Sequence, residues 1–490
     1  MINYVSTRNT KEVKSASEAV LQGQASDGGL YVPLDLSALS VDYHDIIDKD
    51  FKGMAAAVWG LFFDDYGSDV IEDLVRKSYD GKFFTDLITP LSKVGDDYVL
   101  ELYHGPTSAF KDVALQALPN LLIKAREMND VTGEIMILTA TSGDTGSAAL
   151  SGFSGVDGTR IVVFYPEGGI SETQRLQMVT DQGKNTAACA IRGNFDDAQT
   201  GVKKIFREIP HPAPGVSLSS ANSINIGRLV PQIVYYFSAY KQLLDMGDIR
   251  DGDSVDFVVP TGNFGDIMAG YFARSMGLPV HRLICASNKN DVLADFLKDG
   301  HYNRKREFYK TTSPSMDILV SSNLERLLYY ICGEEHAAKY MKDLEEKGEY
   351  TITAEELAEI KSVFTGIFAD DTEGASAIRR IFEDHHYLMD THTSIGWACL
   401  EKYKAQGGGD HPTVVLSTAS PYKFCSSVLA ALGLEVSESD KANMEACFKH
   451  TGAAIPAGLS GIWNKSIMHS DVIDTSDMKA YVIEKSTNLM

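Results

Sequence analysis

From Val94 onward, short uninterrupted apolar runs end in Gly, Ser or Thr, and a helix-like segment follows most of them. This pattern leaves few folds open. Strands buried on both faces read as continuous Val/Ile/Leu/Ala stretches, and joining them through helices produces parallel sheets with covered faces. The candidate strands are Ile135 to Ala140, Arg160 to Tyr165, Ala187 to Ile191, Val255 to Pro260, Val280 to Ala286 and Thr413 to Ser417. In such layers the ligand-binding loops follow the carboxyl ends of the strands, so function is expected just after these runs. A chain of 490 residues exceeds a single hydrophobic core, which predicts two or three domains sharing a cleft. Up to about Pro90 the texture differs: a short extended start, a turn at Asp27 to Gly29 and a helical pattern at Phe51 to Phe63 predict a small N-terminal domain. The more polar stretch from Asn288 to Asp371 reads as a helical elaboration with solvated faces.

Charge narrows the partners. Lys plus Arg number 45 against 67 Asp plus Glu, a formal net charge of −22, and such a surface repels nucleic acid and anionic membranes. A local positive pocket for one small phosphate remains compatible with it. The six cysteines are scattered without metal-finger or redox spacing, and neither a basic-then-apolar leader nor a long apolar run is present. These features predict a reduced, cytoplasmic setting, no metal and no membrane. The sequence leaves the number of subunits open.

Four stretches carry candidate chemistry. HGPTSAFKD (His104 to Asp112) places a Gly-Pro turn and hydroxyl residues before Lys111 at a helix start. Desolvation and the positive end of a helix both favour a neutral amine, the form that attacks an aldehyde or takes a proton from carbon. A lysine taken alone, however, is usually a solvated surface residue. TATSGDTGSAAL (Thr139 to Leu150) is a small-residue loop opening a helix. It reads equally as a carboxylate cradle or as a plain strand-to-helix turn. VVPTGNFGD (Val258 to Asp266) carries two glycines around Asn263 and Phe264, a plausible phosphate cradle that is neither a dinucleotide nor a P-loop signature. VVLSTASPYKF (Val414 to Phe424) ends a buried strand with hydroxyls, and Thr418 is expected to face the cleft while Ser417 or Ser420 caps the next helix. An amine, a carboxylate loop, a phosphate loop and a hydroxyl suited to a pyridine nitrogen are together the parts of a pyridoxal-phosphate site.

In that order, HGPTSAFKD, TATSGDTG, PTGNFGD and LSTASPYKF resemble the longer threonine synthases of bacteria and fungi. The similarity covers nearly the whole chain and includes ASDGGLYVP (Ala25 to Pro33), NSINIGRLVPQIVYY (Asn222 to Tyr236) and SPSMDILVSSNLERLL (Ser313 to Leu328). It implies the tryptophan synthase β-like fold (fold type II): two parallel-sheet α/β domains around a cleft, plus a small N-terminal domain. The expected division is an N-terminal domain at 1–90, a catalytic region at 91–440 with a helical insertion at about 288–371, and a C-terminal segment at 441–490. The implied reaction converts O-phospho-L-homoserine and water to L-threonine and phosphate, the last step of threonine biosynthesis, with pyridoxal 5'-phosphate as cofactor.

By the same resemblance Lys111 bears the cofactor, Gly262, Asn263, Phe264, Gly265 and Asp266 hold its phosphate, and Thr418 faces its ring nitrogen. Thr141, Ser142, Asp144 and Thr145 match the loop that grips the substrate carboxylate, and Asn222, Ser223 and Arg228 resemble the pocket for the substrate's phosphate. Asp144 stands where many relatives in the wider fold carry Asn, which weighs against a cysteine synthase or a dehydratase. The competing readings are a dehydratase or phospholyase on the same fold, and a catalytically inactive binding relative.

Overall fold

The computed structural model describes residues 1–141 and 143–489. Two mainly parallel sheets face each other across a shared apolar interior. The six-stranded sheet runs Phe364–Phe368, Val280–Ser287, Val255–Pro260, Thr413–Ser417, Asp97–Glu101, Leu91–Val94, with only the Leu91–Val94 edge antiparallel to its neighbour. The five-stranded sheet runs Val472–Asp474, Thr186–Arg192, Thr159–Pro166, Glu134–Ala140, Val216–Ser219, parallel throughout. The six apolar runs all form strands, and VDFVVP is buried at every position, as a strand covered on both faces must be.

The N-terminal residues do not form a separate core. A three-stranded antiparallel sheet (Asn9–Lys14, Tyr4–Ser6, Tyr31–Pro33) and the helices Phe51–Phe62 and Ser68–Tyr79 precede the larger sheets. Their Tyr4, Val5, Trp59 and Phe62 join one apolar cluster with Ile137 and Val163 of one sheet and Phe257 and Leu283 of the other. The 21-residue helix Ile226–Met246, buried along almost its whole length, runs through this shared interior. Smaller clusters cover the outer face of each sheet.

The stretch between Asn288 and Asp371 departs from a purely helical elaboration. Helices Val292–Asp299, Leu324–Lys347 and Ala354–Val363 form as expected, but Phe364–Phe368 adds an edge strand to the six-stranded sheet and His301–Asn303 pairs with Glu349–Thr351. An edge strand such as FTGIF is buried at only two of its positions and carries no continuous apolar signal. Among the described residues, no helix is long and apolar enough to cross a membrane, and no group of three or more His, Cys, Asp and Glu could hold a metal ion.

Candidate active site

Three of the four motif loops leave carboxyl ends of the six-stranded sheet, and the fourth leaves the five-stranded one. Strand Asp97–Glu101 leads into HGPTSAFKD, Val255–Pro260 into TGNFGD, Thr413–Ser417 into Thr418, and Glu134–Ala140 into the Thr141 to Thr145 loop. The Lys111 loop is stitched to its neighbour: the Phe110 amide donates to the Thr418 carbonyl at 2.8 Å, and the Ser420 amide to the Ser108 carbonyl at 3.1 Å. The Thr418 hydroxyl has no partner among the described residues. Helix Lys111–Leu115 also lies against helix Asp144–Phe153, where a Cβ on Gly152 would sit 2.0 Å from the Leu115 carbonyl oxygen. That close approach joins the two layers beside Lys111.

Lys111 is partly exposed, yet burial of its amine, partly offset by Asp144 and reinforced by Arg228 and Lys423, lowers its pKa to about 8. Near neutral pH an appreciable fraction is therefore the free amine. Asp112, next in sequence, accepts from the Thr107 amide at 2.8 Å and the Thr107 hydroxyl at 2.6 Å, which fixes the turn before the lysine. Burial pushes the Asp112 carboxyl up to about 6.

The carboxylate-loop reading gains detail. Thr141 accepts the amides of Gly143 and Gly146, both at 2.9 Å, so its hydroxyl shapes the turn. Asp144 and Thr145 offer backbone N–H groups that meet no acceptor among the described residues. The Asp144 carboxylate is engaged elsewhere, by Lys423 Nζ at 2.7 Å and Gln174 Nε2 at 2.8 Å. Burial alone would raise its pKa, but the charges of Lys423 and Lys111 hold it well below the usual carboxylate range. Ser142 lies outside the described residues.

In the GNFGD loop the amides of Gly262, Asn263, Phe264 and Gly265 likewise find no backbone acceptor among the described residues. Phe264 takes a left-handed φ of 65°, costly for a bulky residue and tolerated only where the surroundings hold it. Its ring is fully buried against Phe364, so it contributes backbone to the site and side chain to the core. Gly262 is required for a reason the sequence did not suggest: a Cβ there would meet the Ser315 carbonyl oxygen at 2.5 Å, whereas one on Gly265 would make ordinary contact at 3.5 Å. The Ser315 turn is itself held by His392, whose Nε2 accepts the Ser315 amide at 3.1 Å while Nδ1 faces Asp390 at 2.8 Å. Burial pushes the Asp266 carboxyl up to about 6.

Arg228 is buried, donates through Nη1 to the Ala221 carbonyl at 2.7 Å, and leaves its Nε without a partner. Ser223 accepts from Asn323 Nδ2 at 3.3 Å, and Asn222 is exposed. Unpaired amides, a buried guanidinium N–H without an acceptor and a partly neutral lysine together fit phosphorylated ligands and an aldehyde. The sequence reading passed over Lys423, although it lies inside the quoted LSTASPYKF; a lysine in a hydroxyl-rich loop after a buried strand was the available signal.

Comparison with known proteins agrees with this geometry. Residues 3–79 match the family model "Threonine synthase N terminus", 89–419 match "Pyridoxal-phosphate dependent enzyme" and 393–482 match "Threonine synthase, C-terminal". The chain is 37% identical to a threonine synthase of Schizosaccharomyces pombe, covering 88% of this chain and 89% of that one. It is 38% identical to a threonine synthase of Pseudomonas aeruginosa, over 87% and 90% of the two chains. The structure superposes on a pyridoxal-phosphate-bound threonine synthase of Brucella melitensis with a TM-score of 0.88 and 37% identity, over 99% of this chain and 100% of that one.

Proposed function

The chain belongs to the threonine synthase family of pyridoxal-phosphate enzymes, and from that premise we propose how its own residues act on O-phospho-L-homoserine. Bound pyridoxal phosphate supplies an aldehyde for amines and a ring that stores the electrons left when carbon loses a proton. Lys111 is the amine that holds this aldehyde. With the substrate bound in the site, Lys111 Nζ would be the group placed to take the proton from Cα. It would also serve the further proton transfers: a loss at Cβ that expels the γ-phosphate, a return at Cγ and, after water adds at Cβ, the return of a proton to Cα.

The other residues bind and orient. The backbone N–H groups of Gly262, Asn263, Phe264, Gly265 and Asp266 hold the cofactor phosphate, and the unpartnered Thr418 hydroxyl faces the ring nitrogen. The free amides of Asp144 and Thr145, with Thr141 and Ser142 in the same loop, receive the substrate carboxylate. Arg228, Ser223 and Asn222 receive the substrate phosphate, a planar guanidinium being suited to two parallel bonds with its oxygens. Residues 1–90, 91–440 and 441–490 serve as N-terminal, catalytic and C-terminal regions of an enzyme working in the cytoplasm.

One observation carries the reading: loops from both sheets converge on a lysine whose pKa is lowered to about 8. Incubation with O-phospho-L-homoserine, assaying threonine and phosphate together, tests it; equal amounts of both are expected. Release of 2-oxobutyrate and ammonia in place of threonine would mean a dehydratase or phospholyase instead. Borohydride reduction of the holoenzyme followed by peptide mapping should place the cofactor on Lys111.

A further inference from the structure

Arg326 is completely buried, and its hydrogen bonds go to uncharged acceptors: Nε to the Tyr31 carbonyl at 3.1 Å, Nη2 to the Ile224 carbonyl at 2.6 Å and Nη1 to Asn323 Oδ1. The adjacent Glu325 turns its carboxylate to Arg8 and Thr7 instead. A buried guanidinium bonded only to neutral groups is expensive, so its placement calls for a function beyond neutralising a partner. The bond to Asn323 Oδ1 settles which way that amide faces, because the oxygen must meet the guanidinium and the NH₂ must point the other way.

What the NH₂ meets is the site. Asn323 Nδ2 donates to the Asn263 carbonyl at 2.9 Å and to Ser223 Oγ at 3.3 Å, and the Asn323 backbone amide adds a second bond to the Asn263 carbonyl at 3.0 Å. Two residues earlier, Ser321 Oγ donates to the Gly262 carbonyl at 2.9 Å. In a trans peptide unit C=O and N–H point in opposite directions. Pinning the Gly262 and Asn263 carbonyls therefore aims the Asn263 and Phe264 N–H groups away from the pins, and those amides have no acceptor among the described residues. Ser223 accepts from Asn323, which leaves its hydroxyl proton free to donate to an anion.

We propose that Asn323, oriented by Arg326, is a positioning residue shared by two phosphate sites, presenting the GNFGD amides to the cofactor phosphate and the Ser223 hydroxyl to the substrate phosphate. This rests on the assignment of those two sites above. Removing it loosens both sites at once while leaving Lys111 and its chemistry in place.

The test uses the full chain carrying Asn323→Ala and, separately, Asn323→Asp, which keeps shape, backbone amide and a partner for Arg326 but loses the Nδ2 donor. Cofactor affinity is read by titrating apoenzyme with pyridoxal phosphate and following its visible absorbance. At saturating cofactor, KM for O-phospho-L-homoserine, kcat and the inhibition constant of inorganic phosphate are then measured. Each variant is expected to weaken cofactor binding about tenfold or more, and to raise both KM and the phosphate inhibition constant by a similar factor, the scale of one lost buried hydrogen bond and its unpaired partner. kcat should change far less. A folded variant with wild-type cofactor affinity and KM overturns the proposal, as does one in which only one of the two phosphate affinities moves. Failure of the wild-type enzyme to bind cofactor, or to be inhibited by phosphate, would instead strike at the site assignment itself.

Discussion

Lys423 has no solvent exposure in a protein of net charge −22, and its ammonium is shared between the Asp144 carboxylate and the Thr107 carbonyl at 2.9 Å. A free carboxylate in the loop proposed to receive the substrate's own carboxylate would repel it. Lys423 and Gln174 occupy that charge and leave the loop's backbone amides as the binding surface. Replacing one member of a buried pair strands the other, so Lys423→Met is predicted to lower the unfolding free energy by about 3–5 kcal/mol. Adding Asp144→Asn should recover much of the loss, since neither charge is then unpaired. Denaturant midpoints of the two single variants and the double variant decide it: strictly additive losses would mean that the two side chains are not coupled.

Among the elements, the strands that could be read in advance are those buried on both faces. The six expected runs agree with the structure to within a residue or so at each end, because a central parallel strand writes its burial as an unbroken apolar stretch. Leu91–Val94, Val216–Ser219, Phe364–Phe368 and Val472–Asp474 were not legible, since each lies at a sheet edge and exposes part of its length; Asp97–Glu101, internal and buried at four positions, was missed as well, because its charged ends leave only a three-residue apolar run. The site divides in the same way. Lys111 and its loops are local patterns of turn, hydroxyl and glycine, whereas Asn323 meets Asn263 across 60 residues and Lys423 meets Thr107 across 316. No short motif encodes such a pairing. Gly152 likewise carries no local signal of its contact with Leu115. With the Leu115 carbonyl oxygen where its Cβ would be, Gly152→Ala must push the two helices apart, costing about 1–3 kcal/mol. Because those helices begin at Lys111 and at Asp144, a shift of about 1 Å between them should also lower kcat/KM by up to ~10²-fold. Steady-state kinetics beside an unfolding curve tests this, and a variant as stable and active as the parent would show that the contact yields without consequence.

At the scale of the whole molecule, the N-terminal residues and both large sheets contribute to one apolar interior. Beside that interior the chain buries Arg228 and Lys423 and lowers the pKa of the partly exposed Lys111, with Asp144 held well below the usual carboxylate range and Asp266 raised to about 6 by burial. On the proposed function, the unpartnered backbone amides and Arg228 would meet two phosphates and a carboxylate that the polypeptide does not supply. A ligand that binds only the folded state stabilises it by RT ln(1 + [L]/Kd), about 4 kcal/mol at a thousandfold excess over Kd. The holoenzyme should accordingly melt well above the apoenzyme, with inorganic phosphate alone restoring part of the difference. Equal melting temperatures would mean that the cofactor does not bind preferentially to the folded chain. The same balance reaches beyond catalysis, because proteases in a cell degrade chains in proportion to how often they open. With cofactor scarce, the protein should be cleared faster, which pulse-chase half-lives at low and high cofactor would register, and the amount of enzyme would follow the supply of the vitamin it uses.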